Sequence, residues 1–404
     1  MNLMNKKQII FYSASTPTIM IYKMGRLFKK NGYETFLFAM CEKDRFDYDF
    51  YLEAFDNIIC SNFQFFKPNI KSLFHLIKKI PSLLKFTVSM KILNPYAVIG
   101  ICGNNWQLRL VHKYIFKKHP FIYFPYDIIS HLYDSREEAL KTTKKFEIEA
   151  ERYCFENSDG IIHKGAPDEL DYINERIHRD LKLPKRQLNF LPYCSKEFSV
   201  PIDKNKKLNQ NKELHVAYVG FFYSNDKTAQ KFSNFFKDLS EQKIHVHFYI
   251  LADHIPKDKE REFILSFFGP ITQSEYLHLH KSMGPREIVK EIAKYDLSLW
   301  LSHEQFLNEL KFCTGHKIAS YLEAGLPILH DDSSLFANKL LKDYGVGINF
   351  NEKNQKILKN KIFQIDYKKL LRKIEKARLE FDMDENFPRL KEFIERVAKS
   401  KKTQ

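Results

Sequence analysis

At 404 residues, 44% hydrophobic and 15% aromatic, the chain is excluded from the disordered class and has room for two domains of roughly 200 residues, each with its own core. Its 65 Lys and Arg against 50 Asp and Glu give a formal charge of +15, which suits an anionic partner; nucleic acid, an anionic membrane and a phosphorylated ligand all fit, and charge alone does not rank them. Six cysteines (Cys41, Cys60, Cys102, Cys154, Cys194, Cys313) without C-x-x-C spacing argue against a disulfide scaffold or a zinc ribbon, and no run approaches the ~18–20 apolar residues of a spanning helix.

The first apolar run, Ile9 to Tyr12, is too short for a signal-peptide core, so a cytoplasmic chain is expected. It reads as a strand, followed by a Ser/Thr/Pro loop, an amphipathic helix from Met20 to Lys30 and a turn at Gly32. Strands at Glu34 to Ala39 and Asn57 to Cys60 continue the alternation that a parallel α/β sheet requires. The loop after the first strand lacks G-x-G-x-x-G, so a dinucleotide-binding half is not supported.

Residues 67–93 combine a wide apolar face (Leu73, Leu76, Ile77, Ile80, Leu84) with charge of one sign on Lys71, Lys78, Lys79, Lys85 and Lys91, interrupted by Pro81. Two readings fit this pattern: a pair of packing helices with solvated lysines, or a segment lying in the interface of an anionic bilayer.

A buried strand follows at Tyr96 to Cys102, then Gly103 to Asn105, a helix from Trp106 to Phe116 and a strand from Phe121 to Phe124 leading into Asp127. Ligands of open α/β sheets collect beyond the carboxyl ends of strands, so the loops at Gly103 to Asn105 and Asp127 to His131 are crevice candidates by position. Asp127 reads either as an acid of the site or as the cap of the next helix. A helix from Phe146 to Asp159, a strand from Gly160 to His163 and a last strand at Leu188 to Pro192 complete the first half.

Val200 to Lys212 is polar, rich in Lys and Asn and without an apolar period, and reads as a linker. The pattern restarts with strands at His215 to Tyr223 and His245 to Leu251, a period-2 run from Tyr276 to His280, a helix from Pro285 to Lys294 and a buried strand from Asp296 to Leu301. His316 to Ala324 then reads as a helix, with Ile318, Tyr321 and Leu322 at helical spacing, stopped by Gly325 and Pro327 and delivered into a short strand at Ile328 to Leu329. Its N-terminus offers unpaired N–H groups and a positive dipole, and Lys317 adds a full charge. On those residues alone an ordinary α/β helix and a phosphate site both stand. A strand at Gly345 to Phe350 and a charged, mostly helical tail from Glu352 to Gln404 end the chain.

The run Lys317, Tyr321-Leu322, Ala324-Gly325-Leu326-Pro327-Ile328 resembles the nucleotide-sugar-binding helix of GT-B glycosyltransferases, in particular their large retaining, family 4-like group. The strand ending at Gly220, the succession from Met283-Gly284 to Leu301 and the stretch from Phe121 to Asp134 are similar to further landmarks of that group. The resemblance implies an α/β fold of two Rossmann-like α/β/α domains facing each other across a cleft, with a C-terminal helix crossing back to the first domain. The corresponding boundaries are an acceptor-side domain at 1–199, a linker at 200–213, a nucleotide-sugar domain at 214–380 and a returning helix at 381–404.

For site residues the resemblance implies Gly220 beneath the diphosphate, Lys227 as the nearest basic residue after it, His316 and Lys317 at the phosphates, and Ser320 or Glu323 at the ribose. Asp127 stands where an acceptor hydroxyl or the sugar would be met. Two departures are plain: Ser320 and Phe312 occupy the positions of the group's paired glutamates, and Ser224, Asn225 and Asp226 break the usual Gly-Arg spacing. The implied chemistry is transfer from a nucleotide sugar to a glycan or polyprenyl-linked acceptor, as in bacterial cell-surface polysaccharide synthesis. No cofactor or metal is expected, and a peripheral place at the inner face of the cell membrane follows for the basic segment.

Competing motifs are weak. Asp47-Tyr48-Asp49 and Asp382-Met383-Asp384 both satisfy the D-x-D pattern of metal–diphosphate sites, a spacing that arises readily among 50 acids. His278-x-His280 alternates on a strand without carboxylate or thiol neighbours in sequence, so packing is its expected role. Two further functions stay open: a nucleic-acid or anionic-surface binding protein, supported by charge alone although no nucleic acid is expected, and a nucleotide-sugar epimerase on the same fold.

Overall fold

The computed structural model describes the chain apart from residues 1–5, 62–85, 102, 143, 207, 209–212, 221–225, 251–273, 282, 303–310, 352 and 403–404. The membrane-surface candidates Lys71, Lys78, Lys79 and Lys85 lie outside the described residues. No helix among the described residues is long and apolar enough to cross a membrane. The chain divides into two compact units, Met1–Leu191 with Asn386–Gln404, and Pro192–Glu385.

In the first unit the strands are β1 (Gln8–Ser13), β2 (Glu34–Ala39), β3 (Asn57–Cys60), β4 (Ala97–Ile101), β5 (Phe121–Phe124), β6 (Gly160–His163) and β7 (Gln187–Asn189). They form one parallel sheet in the order β3-β2-β1-β4-β5-β6-β7. Such a sheet is covered on both faces, so its central strands are continuous apolar runs rather than alternating ones. Ile9, Ile10, Phe11 and Tyr12 are accordingly all buried. The last helix, Met383–Lys402, returns from Asn386 onward to this unit. There Phe387 packs edge-on to Phe28 with 4.9 Å between ring centroids, and Phe393 and Val397 press so closely on Gly160 that a Cβ there would lie within 3.0 Å of both.

The second unit repeats the winding with β8 (Leu214–Gly220), β9 (Ile244–Ile250), β10 (Leu277–His280), β11 (Leu297–Trp300), β12 (Ile328–Asp331) and β13 (Gly347–Phe350). Its parallel order is β10-β9-β8-β11-β12-β13. In both sheets the strand order reverses once, between β1 and β4 and between β8 and β11. Those are the points where loops diverge to opposite faces and leave a crevice outside the carboxyl ends of the strands.

Both D-x-D sequences prove to be helix starts. Asp47 accepts a hydrogen bond from the Phe50 N–H at 3.1 Å, and Asp382 Oδ1 accepts from the Glu385 N–H at 3.0 Å. A carboxylate at the cap satisfies an N–H that the helix itself leaves unpaired, which accounts for the first aspartate of each pair without a metal. The helix expected at Trp106 to Phe116 is an α-helix over Asn105–Val111 that widens into a π turn over His112–Phe116.

Candidate functional site

The second unit's switch point is built around one lysine. Strand β8 ends at Gly220, whose φ of +148° is open to glycine and strained for other residues. A Cβ on Gly220 would stand 2.3 Å from Lys317 Cε and 2.5 Å from its Nζ, so the missing side chain makes room for the lysine to lie across the strand end. Lys317 Nζ donates to the Tyr218 hydroxyl at 3.0 Å and sits 4.4 Å from the centre of the same ring and 6.0 Å from that of Trp300.

Among the described residues no carboxylate pairs with Lys317. Burial without a counter-charge disfavours the ammonium and pushes its pKa down to about 7. The lysine belongs to the first turn of helix His316–Ala324, which Gly315 opens without a side-chain cap and which has no acid in its first turn. A desolvated cation and the unpaired N–H groups of a helix start thus converge beyond the carboxyl ends of parallel strands, an arrangement suited to an anion such as a phosphate.

Three further groups fix this geometry, none of them evident from the sequence. Strands β8 and β11 pair only at Leu297 with Val216 and Ser298 with Ala217, after which they separate. The Tyr321 hydroxyl fills the gap: it accepts from the Val219 N–H at 3.1 Å and donates to the Leu299 carbonyl at 2.9 Å. Without it two buried backbone groups would lose their partner, at ~1–3 kcal/mol each. Beside them, Asp331 at the end of β12 accepts from the Ser302 N–H at 2.8 Å and lies 3.7 Å from Lys231 Nζ. Trp300 Nε1 donates to Ser334 Oγ at 3.0 Å, which holds the indole where a Cβ on Gly315 would stand 3.0 Å from it. The signals for these groups were a tyrosine inside an apolar helix face, a tryptophan closing a strand and an aspartate after one; their partners are remote in sequence.

The other expected residues fall as follows. His316 opens the helix and Ser320 follows one turn after it, both half-buried. Glu323, on the same helix, is 1% exposed, and its Oε1 accepts from the Ser195 N–H at 2.6 Å. That contact, not a ligand, engages Oε1, and the Val200 N–H donating to the Glu323 carbonyl at 2.9 Å ties down the same segment. Phe312, at the position of the second of the group's paired glutamates, is buried. Lys227 lies in the first turn of helix Asp226–Glu241, and its side chain is outside the described residues.

In the first unit Asp127 follows β5, its side chain 67% exposed, and accepts from the buried Lys164 at 3.0 Å. The next short helix, Ile129–Leu132, is preceded by Ile128, so Asp127 does not cap it. Behind this loop lie two buried acid–histidine networks that sequence reading missed. Glu169 accepts from His131 at 3.2 Å and His163 at 3.4 Å; burial alone would raise its pKa, but the two imidazoles outweigh that and the net shift is downward. Glu151 meets His178 at 3.0 Å and the Ser130 hydroxyl, and accepts from the Ile129 N–H at 2.7 Å. Both networks staple the Asp127 loop to the helices behind it.

With this geometry in view, comparison with solved structures decides the architecture. The chain superimposes on sucrose-phosphate synthase from Thermosynechococcus elongatus with a TM-score of 0.65 at 12% identity, over 98% of this chain and 100% of that one. The fold is GT-B. Anabaena HepE in complex with UDP-glucose matches the GT-B chain with a TM-score of 0.61 at 11% identity, again over 98% and 100% of the two chains. The lipopolysaccharide outer core galactosyltransferase WaaB matches at 0.55 and 13% identity, over 94% and 98%. Neither a protein-family profile nor a curated protein sequence matches this GT-B chain.

Proposed function

We propose that this protein is a glycosyltransferase that takes a sugar from a nucleotide-sugar and passes it to a glycan or lipid-linked acceptor without a metal. The observation that carries the reading is Lys317, a half-buried cation without a carboxylate partner among the described residues, at an uncapped helix start beside Gly220. GT-B neighbours whose names include UDP-glucose complexes support it. In this reading Lys317 and the first N–H groups of helix His316–Ala324 hold the diphosphate and oppose the charge that develops as it leaves. Gly220 lets the diphosphate and the lysine approach the strand end, and Ser320 lies one turn further along for the ribose. Asp127, exposed and held by Lys164, is assigned to the acceptor hydroxyl.

A proton-linked affinity follows. Below about pH 7 Lys317 is already charged; above it the free protein carries a neutral amine that must take up a proton on binding, since the diphosphate raises the lysine's pKa. Affinity for the cognate nucleotide sugar should therefore be flat below pH 7 and fall by up to about tenfold per pH unit above it. Calorimetry between pH 6 and 9 in buffers of different ionisation enthalpy reads both the trend and the proton; a pH-independent affinity without proton uptake would remove Lys317 from the phosphate site.

Product analysis tests the reaction class. Release of nucleoside diphosphate together with a glycosylated acceptor supports transfer, whereas an isomerised sugar nucleotide formed without acceptor would make the protein an epimerase. For membrane association, supported by the basic residues from Lys71 to Lys85, sedimentation with anionic liposomes should fall when Lys78 and Lys79 are replaced by glutamine. Undiminished sedimentation would count against that placement.

A further inference from the structure

At the opposite end of the second sheet, five histidines share one face: His215 on β8, His245 and His247 on β9, His278 and His280 on β10. The period-2 spacing puts 245 with 247 and 278 with 280, and the register sets His215 beside His245 and His278 beside His247. The rings stack, His215 on His245 at 4.5 Å and His247 on His278 at 4.4 Å. They also hydrogen-bond across the strands. His215 Nδ1 meets His247 Nε2 at 2.9 Å, His247 Nδ1 meets His280 Nε2 at 3.0 Å, and His245 Nδ1 meets His278 Nε2 at 2.8 Å.

The open edge of this array is unfinished. His245 Nε2 is buried and has no hydrogen-bond partner among the described residues, yet Glu213 Oε2 stands 3.2 Å away, out of line for an N–H donor. One ligand atom from each of Glu213, His215 and His245 falls within 4.8 Å of the others. For a tetrahedral zinc ion with nitrogen and oxygen ligands at ~2.0–2.2 Å, neighbouring ligand atoms stand about 3.3 Å apart, close to the observed Glu213–His245 separation.

We propose that Glu213, His215 and His245 bind one divalent late-transition ion of the Zn2+ class, with water completing the shell. His247 and His278, bonded to the far nitrogens of His215 and His245, orient the two ligand rings and leave their Nε2 atoms for the metal. Glu213 immediately precedes β8, while Gly220 closes that strand roughly 23 Å away along it. The ion therefore takes no part at Lys317; it clamps the residue preceding β8 to β9. This inference is independent of the proposed glycosyl transfer.

The test uses the full, untagged chain, stripped with chelator and titrated calorimetrically with ZnCl2 alone, with Co2+ as a spectroscopic substitute. One equivalent of Zn2+ should bind, raise the Tm and, as Co2+, give the intense visible bands of a tetrahedral complex. Glu213→Gln and His245→Gln should each weaken binding by at least about tenfold while circular dichroism is retained. If His245→Gln does not fold, the exposed Glu213→Gln decides alone. No uptake by the wild-type chain, or wild-type affinity in Glu213→Gln, overturns the site.

Discussion

Lys317→Met is expected to weaken binding of the cognate nucleotide sugar by about 100-fold, the ~3 kcal/mol typical of losing one member of a buried charge pair. The fold should survive and even gain. In the free protein the ammonium is desolvated, has no carboxylate partner among the described residues, and has its pKa lowered to about 7. The unfolded lysine titrates near ~10.4, so between pH 7 and that value the unfolded chain holds the extra proton and this residue's contribution to stability rises with pH. At neutral pH an uncharged isostere removes that burden, and Tm should rise or hold while affinity collapses. A Lys317→Met chain that binds as well as wild type removes the phosphate role; one that unfolds shows the lysine to be structural instead.

Gly220→Val carries the second large effect. A φ of +148° costs a branched residue ~1–3 kcal/mol, and the new side chain would enter the space of Lys317 Cε and Nζ. Nucleotide-sugar affinity should drop at least tenfold and stability should fall. A double-mutant cycle isolates the collision from the strain: Gly220→Ala should cost less stability in a Lys317→Ala background than in wild type, because the atoms it strikes are gone. Equal costs in the two backgrounds, read from denaturant midpoints, would show that the close approach has no energetic weight.

The segments whose bounds could be read from sequence are those decided locally. Strands Glu34–Ala39, Asn57–Cys60, Phe121–Phe124 and Gly160–His163 are short apolar runs closed by turn residues, and helix His316–Ala324 carries its own stop at Gly325, which adopts φ +77°. The strand expected at His215 to Tyr223 is β8 as far as Gly220, and residues 221–223 lie outside the described residues. The proximity of Gly220 and Lys317 was expected through the resemblance, which sets a glycine closing a strand and a lysine opening a helix at one diphosphate.

What gives the site its character was not legible. The Tyr321 hydroxyl finds its two partners only because β8 and β11 separate at the switch point, and the sequence says nothing of that separation. The absence of a described carboxylate beside Lys317, and hence its lowered pKa, is a property of the packed unit. Likewise His215, His245, His247, His278 and His280 appear in sequence as a single residue and two separate pairs, and only the strand order β10-β9-β8 aligns them. The D-x-D spacings point the other way: a local pattern suggested metal chemistry where each first aspartate caps a helix.

The most direct test of the central claim is calorimetric titration of the wild-type chain with UDP-, GDP-, ADP- and CMP-linked sugars, run beside duplex DNA at physiological salt. The account predicts saturable binding of at least one nucleotide sugar and no comparably tight binding of DNA. Failure of every nucleotide sugar to bind, with tight binding of DNA, would contradict it.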